Sequence, residues 1–273
     1  MKMGLPARIF ALVLGISPPF LKNRLWKWWY QRLAKGYDKK EFRFMNYGYK
    51  DSDPLILSDY DESHRLFIQL YNTNIKDIEF KEKNVLEVGS GRGGGASWIA
   101  RTKNPKSLIG MDFSKAAVSL CNIWYKDQKN LSFIEGNAEN MPLTESSFDI
   151  IYNVESSHCY GNISKFIQEA FRLLKNQGDF CWTDFRDKKT MIELENTFIS
   201  VGFKIISKRN ITKQVLEALD IINDSKKEKI NQLVPKSIRK SFETFAGVQG
   251  TPVYQAFVEG RLQYYCYQLK KIA

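Results

Sequence analysis

The chain reads as an α/β protein, and three observations say so. Asn84-Val85-Leu86-Glu87-Val88 is a short apolar strand that runs into a glycine-rich loop and then a helical stretch. Two more short apolar strands follow at 107–112 and 147–152. Near the C-terminus, 202–207 and 261–270 carry strand composition and make a further pair. Strand, glycine loop and helix in that order form a Rossmann-like unit, whose helix start and loop backbone can meet a ligand. The 273 residues suffice for one large core with room for an appendage. Hydrophobic residues make up 43% and charged residues 26%, globular values that exclude wholesale disorder.

The first element in the chain is a basic appendage, residues 1–43. The net charge of +11 is unevenly spread: residues 1–50 carry 11 Lys and Arg against 2 Asp and Glu. Residues 51–187 carry 15 against 20, and residues 188–273 carry 15 against 8. Ile9 to Ile16 is an apolar run broken by Ser17-Pro18-Pro19. The stretch from Ile9 to Leu21 would cover about 20 Å as a helix, short of a ~30 Å hydrocarbon core. No small-residue cleavage site follows it, which speaks against a signal peptide. Leu21, Leu25, Trp28 and Trp29 share one helical face, and Trp26, Trp28, Trp29 and Tyr30 interleave with cations. That is the pattern of an amphipathic helix lying in a membrane interface and drawn to anionic head groups. Peripheral contact through residues 1–35, on the cytoplasmic face of a membrane, is expected. Packing of this segment on protein is the other reading. Nucleic-acid binding is set aside, because it explains the cations but not the apolar run. Cys121, Cys159, Cys181 and Cys266 are scattered, and only His64 and His158 accompany them, so no metal-ligand spacing appears. Unpaired thiols suit a reducing compartment.

The segment 44–210 carries the chemistry. Gly89, Gly91 and Gly94 satisfy the GxGxxG pattern of NAD sites. Glu87, Gly89, Gly91 and Gly93 also satisfy E/DxGxGxG, the pattern of S-adenosylmethionine (SAM) sites. The next strand ends in Asp112, a carboxylate able to accept both ribose hydroxyls of either cofactor. Phe133 to Leu143 follows, with Asn137-Ala138-Glu139-Asn140-Met141-Pro142-Leu143, and then Ser147-Phe148-Asp149-Ile150-Ile151-Tyr152. The ordered set from Glu87 to Tyr152 resembles the class I SAM-dependent methyltransferases, with Asn137 where that family usually has Asp. The resemblance implies a seven-stranded mixed sheet and SAM as cofactor. It implies cofactor contacts at Glu87, Gly89, Ser90, Gly91 and Gly93, at Asp112 and Phe113, at Asn137, Ala138 and Glu139 around the adenine, and at Asn153.

Met45-Asn46-Tyr47-Gly48-Tyr49, Asn153 to Tyr160 and Gly178 to Arg186 narrow the resemblance. Together they are similar to the phthiotriol and phenolphthiotriol dimycocerosate methyltransferases and related lipid and macrolide O-methyltransferases. The likeness covers 44–187 well, extends weakly to 247–270, and leaves out the first forty residues. By it, Tyr47 is expected to cap the cofactor, while Tyr49 is as readily a core residue. Glu155 and His158 fall just past the end of a strand, where ligands bind in open α/β sheets. His158 is expected to take a proton from a substrate hydroxyl, and Glu155 to position it or hold its tautomer. Stabilising a cation is the other role open to Glu155, if the substrate is an alkene. Asp184 and Arg186 read as substrate-facing or as an ion pair, Arg92 as a cofactor contact or a solvated cation, and His64 as structural.

The stretch 211–259 is too long for a plain hairpin loop. Its apolar spacings at Val215, Leu216, Leu219 and Ile222, and at Phe242, Phe245 and Val248, suggest a helical lid. Residues 260–273 supply the final strand. The sequence is expected to encode a methyltransferase that O-methylates a hydrophobic lipid, polyketide or isoprenoid hydroxyl. Carbon methylation of an isoprenoid-like alkene, a SAM-binding scaffold and an NAD-dependent oxidoreductase are the alternatives.

Overall fold

A computed structural model describes residues 42–272 apart from 54, 235, 237 and 238. The expected N-terminal amphipathic helices and their membrane contact lie outside the described residues. Seven strands form one sheet in the order β3-β2-β1-β4-β5-β7-β6. They are β1 (Asn84–Val88), β2 (Ser107–Asp112), β3 (Leu131–Glu135), β4 (Phe148–Val154), β5 (Leu174–Asp187), β6 (Phe203–Asn210) and β7 (Leu262–Lys271). β1 to β5 run parallel, and β7 lies antiparallel between β5 and β6. This is the seven-stranded mixed sheet that the sequence predicts.

The central strands are buried on both faces and largely apolar, with Glu87 and Asn153 as their buried polar exceptions. β6, at the edge, alternates instead, burying Phe203 and exposing Lys204 and Lys208, charges that discourage edge-to-edge pairing. Short helices α1 (Asp59–Glu62) and α2 (Arg65–Asn74) precede the sheet. α3 (Gly94–Thr102), α4 (Lys115–Trp124), α5 (Ile163–Leu173) and α6 (Lys188–Val201) connect its strands. Side-chain caps start three of them: Ser114, Asn162 and Asp187 accept backbone N–H groups of Ala117, Lys165 and Thr190. α5 buries Phe166, Ile167, Ala170 and Leu173, one helical face, against the sheet. The two faces carry separate cores. One gathers Tyr71, Trp98, Ile99 and Cys121, and the other gathers Ile167, Leu194, Phe198 and Trp182.

Three helices occupy the stretch between β6 and β7: α7 (Thr212–Leu233), α8 (Arg239–Phe245) and α9 (Pro252–Val258). Strand order reverses between β1 and β4, so their carboxyl ends open a crevice, as in other doubly wound sheets.

α3 packs its first turn tightly on α2. A Cβ added to Gly95 would lie 2.0 Å from ring atoms of Tyr71, whose hydroxyl is held by Glu87. Gly95→Ala is therefore expected to destabilise the fold by about 1–3 kcal/mol. The check is a denaturant titration, in which an unchanged midpoint would contradict the contact.

Candidate active site

The glycine loop is pinned at the crevice. The N–H groups of Gly89 and Ser90 both donate to the Met111 carbonyl, at 2.8 and 3.0 Å. Gly89 has φ +79° and no room for a Cβ, which would lie 2.2 Å from Ser156 Oγ. Gly91 has φ +53°, and a Cβ there would meet only Met45 Sδ, at 3.8 Å. Its bare backbone therefore faces open space that a ligand can approach closely. The loop, the carboxyl ends of β1 to β4 and the inner side of α7 and α8 enclose a cavity of about 370 Å³. Small-molecule sites typically run from about 300 to 1,000 Å³.

Tyr47, Gly89, Ser90, Gly91, Asp112, Phe113, Asn137, Ala138, Glu139, Glu155 and His158 all line this cavity. Glu87, Gly93 and Asn153 stand behind its wall. Glu87 is fully buried and accepts hydrogen bonds from Tyr71 Oη at 2.9 Å and Tyr152 Oη at 3.1 Å. Burial pushes its carboxyl up to about 8, against the opposing pull of those hydroxyls and the Ala96 N–H. It thus ties α2, β4 and the start of α3 together beneath the loop. Gly93 is needed by neighbours, since a Cβ would lie 2.6 Å from Phe133. Asn153 Nδ2 donates to the Val88 carbonyl at 2.8 Å and to Ser156 Oγ at 2.7 Å, joining the ends of β1 and β4.

On the side of β2 and β3, Asp112 accepts from the N–H of Gly91 and of Ser114, both at 2.8 Å. Burial pushes its carboxyl up to about 6, while the N–H groups of Ser114, Gly91 and Phe113 work the other way. Glu139 accepts from the N–H of Gly161 at 2.8 Å and of Asn162 at 3.1 Å, closing this wall. Ser90 Oγ is buried on the wall without a hydrogen-bond partner. A carboxylate for a diol, bare loop backbone and an unpartnered hydroxyl fit a nucleoside cofactor. Arg92, left open between cofactor contact and solvated cation, is buried and lines the cavity. His64 is buried beside Phe44, 5.1 Å between ring centres, and burial with the Arg43 and Lys229 charges lowers it to about 4.

The opposite end carries the ionisable groups. His158 sits on a single 3₁₀ turn, Ser157–Cys159, after β4. Its Nδ1 lies 2.9 Å from Asp184 Oδ1, and its backbone N–H donates to Asp184 Oδ2 at 2.9 Å. Ser157 Oγ also donates to Asp184, at 2.8 Å, and Phe185 stacks on the imidazole with ring centres 4.6 Å apart. Of the two readings of Asp184 and Arg186, the ion pair is present, at 3.3 Å. Burial works against the Asp184 carboxylate, yet His158 and Arg186 hold it well below the usual carboxylate range. Burial likewise disfavours the His158 cation, but interaction with Cys159 and Asp184 raises it well above 6.5. An ionised Asp184 only accepts, so a neutral His158 carries its proton on Nδ1 and its lone pair on Nε2. Such a ring can accept a proton from a ligand.

Glu155 has φ +47°, a conformation costly for a residue with a side chain and concentrated at functional sites. Three bonds hold it there. Its N–H donates to the Thr183 carbonyl at 2.7 Å, and its Oε2 accepts from the Tyr47 N–H at 2.8 Å and Tyr264 Oη at 2.6 Å. Burial pushes its carboxyl up to about 7 despite those donors. Tyr47 in turn stacks on Phe185 and donates its hydroxyl to the Phe245 carbonyl, linking the segment before α1 to α8. Tyr264 and Lys226 had no motif around them to mark them in the sequence.

Comparison with known proteins bears on the family and the fold. The family profile described as "Methyltransferase domain" matches residues 86–182. The chain is 33% identical over 265 residues to the phthiotriol/phenolphthiotriol dimycocerosates methyltransferase of Mycobacterium tuberculosis, covering 96% of this chain and 98% of that one. It is 31% identical over 228 residues to the fatty-acid O-methyltransferase of Mycolicibacterium smegmatis, covering 82% of each. Geranyl diphosphate C-methyltransferase from Streptomyces coelicolor A3(2) shares the fold, with a TM-score of 0.66 at 16% identity over 89% of this chain and 98% of that one. On the strength of sequence identity along nearly its whole length, the chain belongs to the phthiotriol/phenolphthiotriol dimycocerosates methyltransferase family and is an enzyme that takes its methyl group from S-adenosylmethionine.

Proposed function

We propose that the protein O-methylates a hydroxyl of a hydrophobic lipid, polyketide or isoprenoid substrate at the cytoplasmic face of a membrane. The observation that carries this reading is the imidazole of His158, oriented by buried Asp184 on the cavity wall. Bound SAM supplies an electrophilic methyl group. His158 accepts the hydroxyl proton through Nε2 as the substrate oxygen becomes the nucleophile, and Asp184 stabilises the imidazolium that forms. Glu155 positions this end of the site through Tyr47 and Tyr264. Gly89, Ser90, Gly91, Asp112, Phe113, Asn137, Ala138 and Glu139 hold the cofactor along the other wall, with Glu87, Gly93 and Asn153 supporting them from behind. The helices between β6 and β7 act as a lid, and their apolar side chains keep water from the reacting atoms.

Carbon methylation is the alternative, in which Glu155 on the cavity wall would stabilise a developing cation. The relatives named for phthiotriol and fatty-acid methylation agree with a lipid substrate. Methyl-labelled SAM incubated with cell lipid extract tests the reading. Label on a lipid oxygen is expected, and label on carbon would overturn it.

Membrane placement has its own test. The full chain is expected to float with vesicles containing anionic lipid, and a chain lacking residues 1–35 to stay behind. Equal flotation of the two would remove residues 1–35 as the anchor.

A further inference from the structure

One cation on the cavity wall has no part in the chemistry above. Lys226, on α7, lines the same cavity as His158 and Glu155. Its Nζ donates to the Ala246 carbonyl at 2.8 Å and stands 5.6 Å from the Tyr47 ring centre. Among the described residues it forms no ion pair. Glu155 is near enough to be felt, but the Glu155 Oε2 already accepts from Tyr47 and Tyr264. An ammonium has three protons to donate, and one carbonyl with one ring face leaves donor capacity for a ligand. Partial burial lowers Lys226 to about 8, with Glu155 pulling the other way.

The surroundings say what would match it. Lys229, one turn further along α7, also lines the cavity and lies 5.8 Å from the Phe42 ring centre. Beyond these two cations and Ser225 the wall formed by the lid is apolar, with Ile222, Ile230, Val234, Phe242 and Phe245. A small hydrophilic anion would leave that surface uncovered, and a neutral lipid would leave the ammonium unmatched. A molecule with both an acid group and an apolar chain satisfies both.

We propose that Lys226 is a specificity-determining residue that pairs with a carboxylate carried by the lipid substrate, while the apolar wall of the lid takes its chain. This rests on the reading of the protein as a lipid methyltransferase and narrows the lipid to an amphiphilic acid. A charge-assisted bond outweighs the neutral one that an alcohol of equal length would make.

The test compares dodecanoate and 1-dodecanol as ligands of the full chain with S-adenosylhomocysteine bound, by calorimetry at pH 7. The wild type is expected to bind dodecanoate about 10-fold more tightly than the alcohol. Lys226→Gln should bring the ratio near one, and Lys226→Arg should restore most of it. No preference in the wild type overturns the proposal. So does an equal loss for both ligands in Lys226→Gln, which would mark a merely structural lysine. A loss confined to S-adenosylhomocysteine affinity overturns it too, by assigning Lys226 to the cofactor. Transfer of label to some lipid without an acid preference would refute the proposal and keep the methyltransferase reading. An acid preference without label on lipid oxygen would do the reverse.

Discussion

His158→Ala is expected to lower kcat/KM by about 10²- to 10⁴-fold, the range of a lost general base. The proposed base is held at the end of β4, where Asp184 orients the ring and Phe185 stacks on it. Removing the imidazole also leaves the buried Asp184 carboxylate without its principal cation. His158→Asn, whose amide can still donate to Asp184, separates that structural cost from the chemical one. Both variants should retain S-adenosylhomocysteine binding. The pH profile of the wild type carries a second signature. The base works in its neutral form, and interaction with Cys159 and Asp184 raises His158 above 6.5 against the effect of burial. kcat/KM should therefore climb with pH along a limb centred above 6.5. Stability moves the opposite way. A raised histidine contributes stability that is complete below 6.5 and lost as pH rises through its higher folded value. Near-wild-type turnover in His158→Ala, or a profile with no limb above 6.5, would show that placement of the hydroxyl is sufficient.

What could be read before folding was what lies close in the chain. The glycine loop, Asp112, Asn137 and His158 each lie at or just past the end of a strand, so strand composition and turn residues place them at the sheet's carboxyl edge. Pairings made by the sheet were not legible. Asp184 meets His158 across the β4–β5 register, in which Val154 faces Thr183, and nothing local to either residue signals the partner. Glu87 is instructive in another way. Its place in E-x-G-x-G suggests a ligand contact, yet side chains along β1 alternate. Leu86 and Val88 enter one core, while Val85 and Glu87 face the other, where Tyr71 and Tyr152 take the carboxyl. Lys226 sits in the run Lys226-Lys227-Glu228-Lys229, which reads as a solvated helix face until α7 folds over the cavity. The hydrogen bonds of Glu155 come from Tyr47 and Tyr264, which lie 108 and 109 residues away in the chain.

Asp112→Ala should weaken S-adenosylhomocysteine and SAM binding by about 10²- to 10⁴-fold, since hydrogen bonds to a charged group contribute about 1.5–3 kcal/mol each and a ribose diol makes two. The carboxylate acts twice. Its oxygens already accept the N–H groups of Gly91 and Ser114, which fixes the loop backbone beside the cavity. With the Phe113 N–H also nearby, the lone pairs that remain suit the two hydroxyls. Asp112→Asn keeps one acceptor oxygen but turns the other into a donor, so it should recover only part of the loss. The wild type should imitate the variant on acidification. Burial raises this carboxyl to about 6, so it is largely ionised at pH 7 and becomes protonated as pH falls through 6. Cofactor affinity should therefore drop below pH 6, and in Asp112→Ala that pH dependence should vanish. Calorimetry with S-adenosylhomocysteine from pH 5 to 8 reads both effects. An Asp112→Ala affinity within a few-fold of wild type would mean that the bare backbone at Gly91 and the hydroxyl of Ser90 hold the cofactor without the diol contact.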